Sequence, residues 1–111
     1  MRTIDVNGST VELDDEGYLL HLNDWSEAFA SYLAHEENIE LTDAHWEIIQ
    51  VVRDFYHTYE LSPAMRPLVK AVKTALGEGK GKSIYLMKLF PESPAKQSAK
   101  LAGLPKPTNC L

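Results

Sequence analysis

Cysteine is the scarcest chemically distinctive residue here: the 111-residue chain has one, Cys110. A single thiol closes no internal disulfide, which excludes a secreted disulfide scaffold. Long apolar runs are also missing, and none approaches the ~20 residues a membrane-spanning helix needs. Met1-Arg2-Thr3-Ile4-Asp5 lacks the apolar core of a secretory leader. A cytoplasmic protein with no membrane partner is therefore expected. Metal-ligand spacing is absent as well. His21, His35, His45 and His57 pair neither with one another nor with the thiol at such spacing, and they read as surface or locally hydrogen-bonded side chains. No cofactor and no metal are expected. Gly77-Glu78-Gly79-Lys80-Gly81-Lys82 has the residue types of a phosphate loop without its spacing or its preceding strand, so it reads as a linker. Asp14-Asp15-Glu16-Gly17 lacks the ligand spacing of a calcium loop and reads as a solvated turn.

Length and composition fit one domain covering residues 1–111, with a body over 1–103 and a flexible arm over 104–111. The net charge of −5 is unevenly spread. Residues 1–65 hold fourteen Asp and Glu against Arg2 and Arg53, a net of −12; residues 66–111 hold nine Lys and Arg against Glu78 and Glu92, a net of +7. Solvated helix faces account for most such runs. The sharper reading is a basic face that meets an acidic partner or an RNA backbone. Aromatics do not interleave with these lysines as in an RNA-binding motif, so sequence-specific RNA binding is unsupported.

Local patterns predict α+β architecture, mainly α. Thr3–Val6 and Thr10–Leu13 alternate apolar and polar residues around Asn7-Gly8, which predicts a β-hairpin over 3–13 with Ile4, Val6, Val11 and Leu13 facing inward. About five helices follow. The first is expected to be capped by Asp24 with Glu27 three positions on, and to run to about Glu37 with Trp25, Phe29, Tyr32 and Leu33 on its core stripe. The second spans roughly 43–59 behind Thr42, with Trp46, Ile49, Val52, Phe55 and Tyr56 inward. Ser62-Pro63 reads as a cap with proline at the first helical position, followed by a helix from Pro67 to Leu76. Ser83–Phe90 reads as a short buried helix bearing Ile84, Leu86, Met87, Leu89 and Phe90. The last helix runs from Pro94 to Ala102, and Gly103 is its left-handed stop. Its Lys96 and Lys100 share one face.

Beyond Gly103, Pro105 and Pro107 remove amide donors and favour an extended, polyproline-like arm carrying Cys110. A thiol so placed suits delivery into another protein's pocket. Lys100 and Lys106 lie nearby in sequence and can favour the reactive thiolate; ordinary surface solubility explains them equally well. A helix–turn–helix geometry over 43–76 keeps a regulatory DNA-binding alternative open, although its first helix is acidic and the candidate recognition helix offers only Lys70 and Lys73 in its body.

Phe90-Pro91, Pro94-Ala95-Lys96-Gln97, Ala102-Gly103-Leu104-Pro105-Lys106-Pro107 and Cys110-Leu111 together resemble the C-terminal signature of the DsrC/TusE family of small sulfur carriers. Asp24-Trp25, Leu41-Thr42-Asp43-Ala44-His45-Trp46 and Ser62-Pro63-Ala64-Met65-Arg66-Pro67-Leu68 extend the resemblance upstream. Members of the DsrC branch, which serve sulfite reductase, carry a second cysteine eleven positions before the last, where this chain has Ala99. A disulfide or trisulfide between two arm thiols is thus ruled out, and a persulfide on Cys110 is what remains. Asn109 stands where glycine is frequent in that branch. The resemblance is therefore to the TusE branch. It implies a sulfurtransferase that accepts sulfur on Cys110 from an upstream, TusBCD-like relay complex. It also implies delivery to an MnmA-like tRNA thiouridylase, with or without bound tRNA, for 2-thiolation of the wobble uridine. A sulfite-reductase-associated subunit is the other family alternative.

Overall fold

The computed structural model describes residues 1–108. Strands β1 (Arg2–Val6) and β2 (Ser9–Leu13) form the predicted antiparallel hairpin, with Ile4 opposite Val11 and Arg2 opposite Leu13. Asn7 and Gly8 both take positive φ, 51° and 85°, as a two-residue turn with the strands' own twist requires. Ile4, Val6, Val11 and Leu13 are buried, as their alternation predicts. Asp14 organises the next turn, its Oδ1 accepting from the amides of Glu16 and Tyr18 at 2.9 Å each. A single 3-10 turn over Leu22–Asp24 leads to α1 (Glu27–Glu36), α2 (Asp43–Tyr59), α3 (Met65–Leu76), α4 (Ser83–Leu89) and α5 (Pro94–Leu101).

The last helix is the hub. It packs against α1, α2, α3 and α4, and six of its eight residues are buried. Ala95, Ser98 and Ala99 are small enough to let four neighbours approach, while Leu101 fills the centre. Gln97 is buried but satisfied: its Oε1 accepts from the Glu92 and Ser93 amides, and its Nε2 donates to Glu37. On α2, His45 is likewise buried. The Thr42 amide donates to its Nδ1 at 3.1 Å, which leaves the proton on Nε2 to donate to the Leu89 carbonyl at 2.9 Å. This neutral imidazole ties the start of α2 to the end of α4 and meets the edge of Phe90, 5.3 Å between centroids.

Several local expectations give way. Asp24 ends the 3-10 turn instead of capping α1; Ser26 does that, accepting from the Phe29 amide at 3.0 Å. Trp25 consequently lies outside the helix, and Tyr32 is exposed. Ser62 does not cap α3, because its hydroxyl donates to Pro105 instead; the helix begins at Met65 with Pro67 in its first turn, where no amide donor is needed. Phe55 stacks obliquely on Tyr59 and lines a groove between α2 and α3 with Val51, Pro67 and Ala71. On α4, only Leu86 is buried, followed by Phe90 just past the helix end; Ile84 is 67% exposed and Met87 51%. A seven-residue helix packed chiefly on α5 buries one side only, and five apolar residues in seven barely reveal which.

That contrast predicts opposite outcomes on one helix. Leu86→Ala is expected to cost ~2–5 kcal/mol in urea unfolding, whereas Ile84→Ala stays within ~0.5 kcal/mol.

Candidate functional site

The chain leaves α5 through a closed set of backbone bonds. Gly103 takes φ 73°, the left-handed value its position demands. Its amide donates to Lys100 O at 3.2 Å, and the Leu104 amide donates to Ala99 O at 3.0 Å, the paired pattern that satisfies the last carbonyls of a helix. Two side chains take the carbonyls that follow. The Trp25 indole Nε1 donates to Leu101 O at 2.9 Å, and Arg53 Nη1 donates to Ala102 O at 2.8 Å. The Arg53 guanidinium also lies 3.8 Å from the Trp25 ring centroid, a contact worth ~0.5–2 kcal/mol. Burial pushes Arg53 down from its usual pKa, partly countered by Asp54, yet a guanidinium stays charged. Gly103 presses against the indole: a Cβ there would stand 2.4 Å from Trp25 Cδ1.

The arm's described part, residues 104–108, carries no regular secondary structure and lies on the body. Leu104 is buried and Pro107 is buried, while Pro105 and Lys106 face outward. Ser62 Oγ donates to Pro105 O at 2.6 Å, and Lys106 Nζ stands 2.7 Å from Glu16 Oε2. Beside Leu104 runs a groove of about 340 Å³ lined by Leu22, Arg53, Tyr56, His57 and Glu60.

Lys100 and Lys106 both reach the turn between β2 and the 3-10 helix. Lys100 Nζ is 5.2 Å above the Tyr18 ring and 3.7 Å from Glu37 Oε2, and its side chain is only 18% exposed. Lys106 meets Glu16 of the same turn. Cys110, the expected nucleophile, lies outside the described residues, two positions beyond the last of them. Among the described residues no His, Asp and Glu cluster could hold a metal ion, and no helix is long and apolar enough to cross a membrane. Trp25, Arg53 and Ser62, the residues that seat the arm, were not legible in those roles. One signal existed for Arg53: it is the single cation between residues 3 and 65.

Comparison with known proteins covers the chain nearly end to end. The family model described as "DsrC like protein" matches residues 5–111. A sulfurtransferase TusE homolog of Haemophilus influenzae is 59% identical over 97% of this chain and 99% of its own length. Sulfurtransferase TusE of Escherichia coli is 51% identical over 94% of this chain and 95% of its own. Among solved structures, Allochromatium vinosum DsrC superposes with a TM-score of 0.90 at 50% identity, covering 98% of this chain and 97% of that one. The oxidized gamma-subunit of dissimilatory sulfite reductase from Archaeoglobus fulgidus gives 0.86 at 38% identity, covering 99% and 100%.

Gly103→Ala combines a left-handed backbone with overlap on the indole, so a loss of about 2 kcal/mol or more is expected in urea unfolding. Gly79→Ala, which meets open space, is the control and should be neutral or slightly stabilising. Hydrogen exchange at the Leu104 amide should accelerate in Gly103→Ala more than at the hairpin amides.

Proposed function

The chain belongs to the DsrC-like protein family, and from that premise we propose that it is a sulfurtransferase of the TusE kind, carrying sulfur as a persulfide on Cys110. The observation that carries this reading is the 51–59% identity, along nearly the whole chain, with proteins named sulfurtransferase, in a chain with a single thiol. The donor is a TusBCD-like relay complex and the acceptor an MnmA-like tRNA thiouridylase, in the cytoplasm.

The chemistry follows from the thiol. Cys110 as thiolate attacks the outer sulfur of the donor's persulfide. A sulfur–sulfur bond forms at Cys110, the donor's sulfur–sulfur bond breaks, and the donor cysteine leaves as thiolate with its electron pair. The second transfer repeats the exchange: an acceptor thiolate takes the outer sulfur and Cys110 is regenerated. Neither step needs an oxidant, a reductant or a cofactor. This chain supplies nucleophile and presentation. The bonds at Gly103, Leu104 and Pro105 fix the start of the arm on the body. Lys100 and Lys106 are the proposed electrostatic helpers that favour the thiolate.

A second reading, a subunit associated with sulfite reductase, draws on the likeness to the Archaeoglobus gamma-subunit. Ala99 stands against it. This side chain is fully buried in α5 and offers no second thiol for two-cysteine chemistry.

Intact mass after incubation with a persulfide-loaded donor complex tests the proposal. The wild type should gain one sulfur, reversed by reductant, and Cys110→Ser should gain none. A wild type that gains no sulfur from a donor active on another carrier would sink this reading and shift weight to the DNA-binding one. Lys100→Gln and Lys106→Gln should each slow uptake; uptake at the wild-type rate removes that lysine from the mechanism.

A further inference from the structure

The exposed side of α4 is out of keeping with a solvated surface. Ile84 and Met87 are 67% and 51% exposed, and they are neighbours three positions apart on one helix face. Lys88 extends that face and Lys82 precedes it, both exposed. Lys73 abuts the same end of the helix, since a Cβ on Gly81 would stand 2.3 Å from Lys73 Cβ. Residues 66–90 hold six Lys and Arg against Glu78 alone, a net of +5. Two of these cations have acidic neighbours, Lys80 at 2.7 Å from Glu47 and Lys73 at 3.9 Å from Glu78. Lys82 and Lys88 have no ion-pair partner among the described residues. The result is an apolar centre flanked by Lys82 and Lys88, with Lys73 near its amino-terminal end.

We propose that this face of α4 docks the persulfide donor, a protein presenting an apolar socket rimmed by carboxylates. An apolar centre inside a polar rim is the anatomy of a protein–protein contact, and Met87 suits an imperfectly matched socket. A phosphate backbone would engage the lysines but leave Ile84 and Met87 unused, which argues against RNA as the occupant. Charge also separates donor from acceptor. An enzyme that grips tRNA needs a cationic surface for its phosphates, and such a surface repels this segment. The face uses none of Trp25, Arg53 and Ser62, the residues that seat the start of the arm.

The proposal rests on the sulfur-carrier reading, and the experiment separates the two. Loading of Cys110 is followed by intact mass with two sulfur sources, glutathione persulfide and the protein donor. Ile84→Asp and Lys88→Glu change exposed side chains and should both load from glutathione persulfide as the wild type does. With the protein donor, Ile84→Asp should raise KM about tenfold with kcat unchanged. Lys88→Glu should raise it less, by a factor that shrinks as salt is added. An unchanged donor KM in both variants overturns the proposal. So does tRNA binding abolished by Lys88→Glu with donor KM intact, or a dimer of this chain that either variant dissolves. If the wild type fails to load even from glutathione persulfide, the carrier reading itself is what fails.

Discussion

A helix that ends inside a protein leaves its last carbonyls in need of donors, and α5 ends inside this one. How the chain leaves α5 depends on how that need is met. Gly103 and Leu104 return their amides to Lys100 and Ala99; Trp25 and Arg53 supply side-chain donors to Leu101 and Ala102. The donors come from before α1 and from the middle of α2. One capping arrangement therefore fastens three separate parts of the chain and sets the direction in which the arm departs. The closeness of Gly103 to the indole goes with it, since the side chain that donates to Leu101 O also lies against the glycine.

The small residues of α5 belong to the same design. Ala95, Ser98 and Ala99 let four helices converge on one short segment. At Ala99 this packing meets the question of chemistry. The position is filled by a buried methyl group, and the molecule has one thiol with which to work. The sulfur exchange proposed for a single cysteine is redox-neutral and asks little of its surroundings, which accords with a body whose buried polar side chains are spent on structure. Among the described residues, no buried side-chain polar atom lacks a partner. At the surface, Ile84 and Met87 stay exposed on α4 with Lys82 and Lys88 beside them.

The hairpin and α2 were legible in the sequence because their signals are local. Asn7-Gly8 requires positive φ at adjacent residues, and Thr42 begins a 17-residue amphipathic run. The stop at Gly103 was legible for the same reason. Asp24 and Ser62 misled because each is a good cap beside a better-placed competitor or a distant acceptor: Ser26 stands nearer the first turn of α1, and Pro105 takes the Ser62 hydroxyl. Ile84 and Met87 misled because five apolar residues in a seven-residue helix leave Lys88 as the lone charge marking its outer face.

The sequence by itself determined the inventory: a hairpin, five helices, a proline-bearing tail and one thiol, each set by residues within a few positions of one another. Only the tertiary structure decided which face of α4 is left open, and that Trp25 and Arg53 close the end of α5. Those donors stand 76 and 49 residues from the carbonyls they satisfy. Pairing over such distances is settled by packing geometry, to which local propensity is blind.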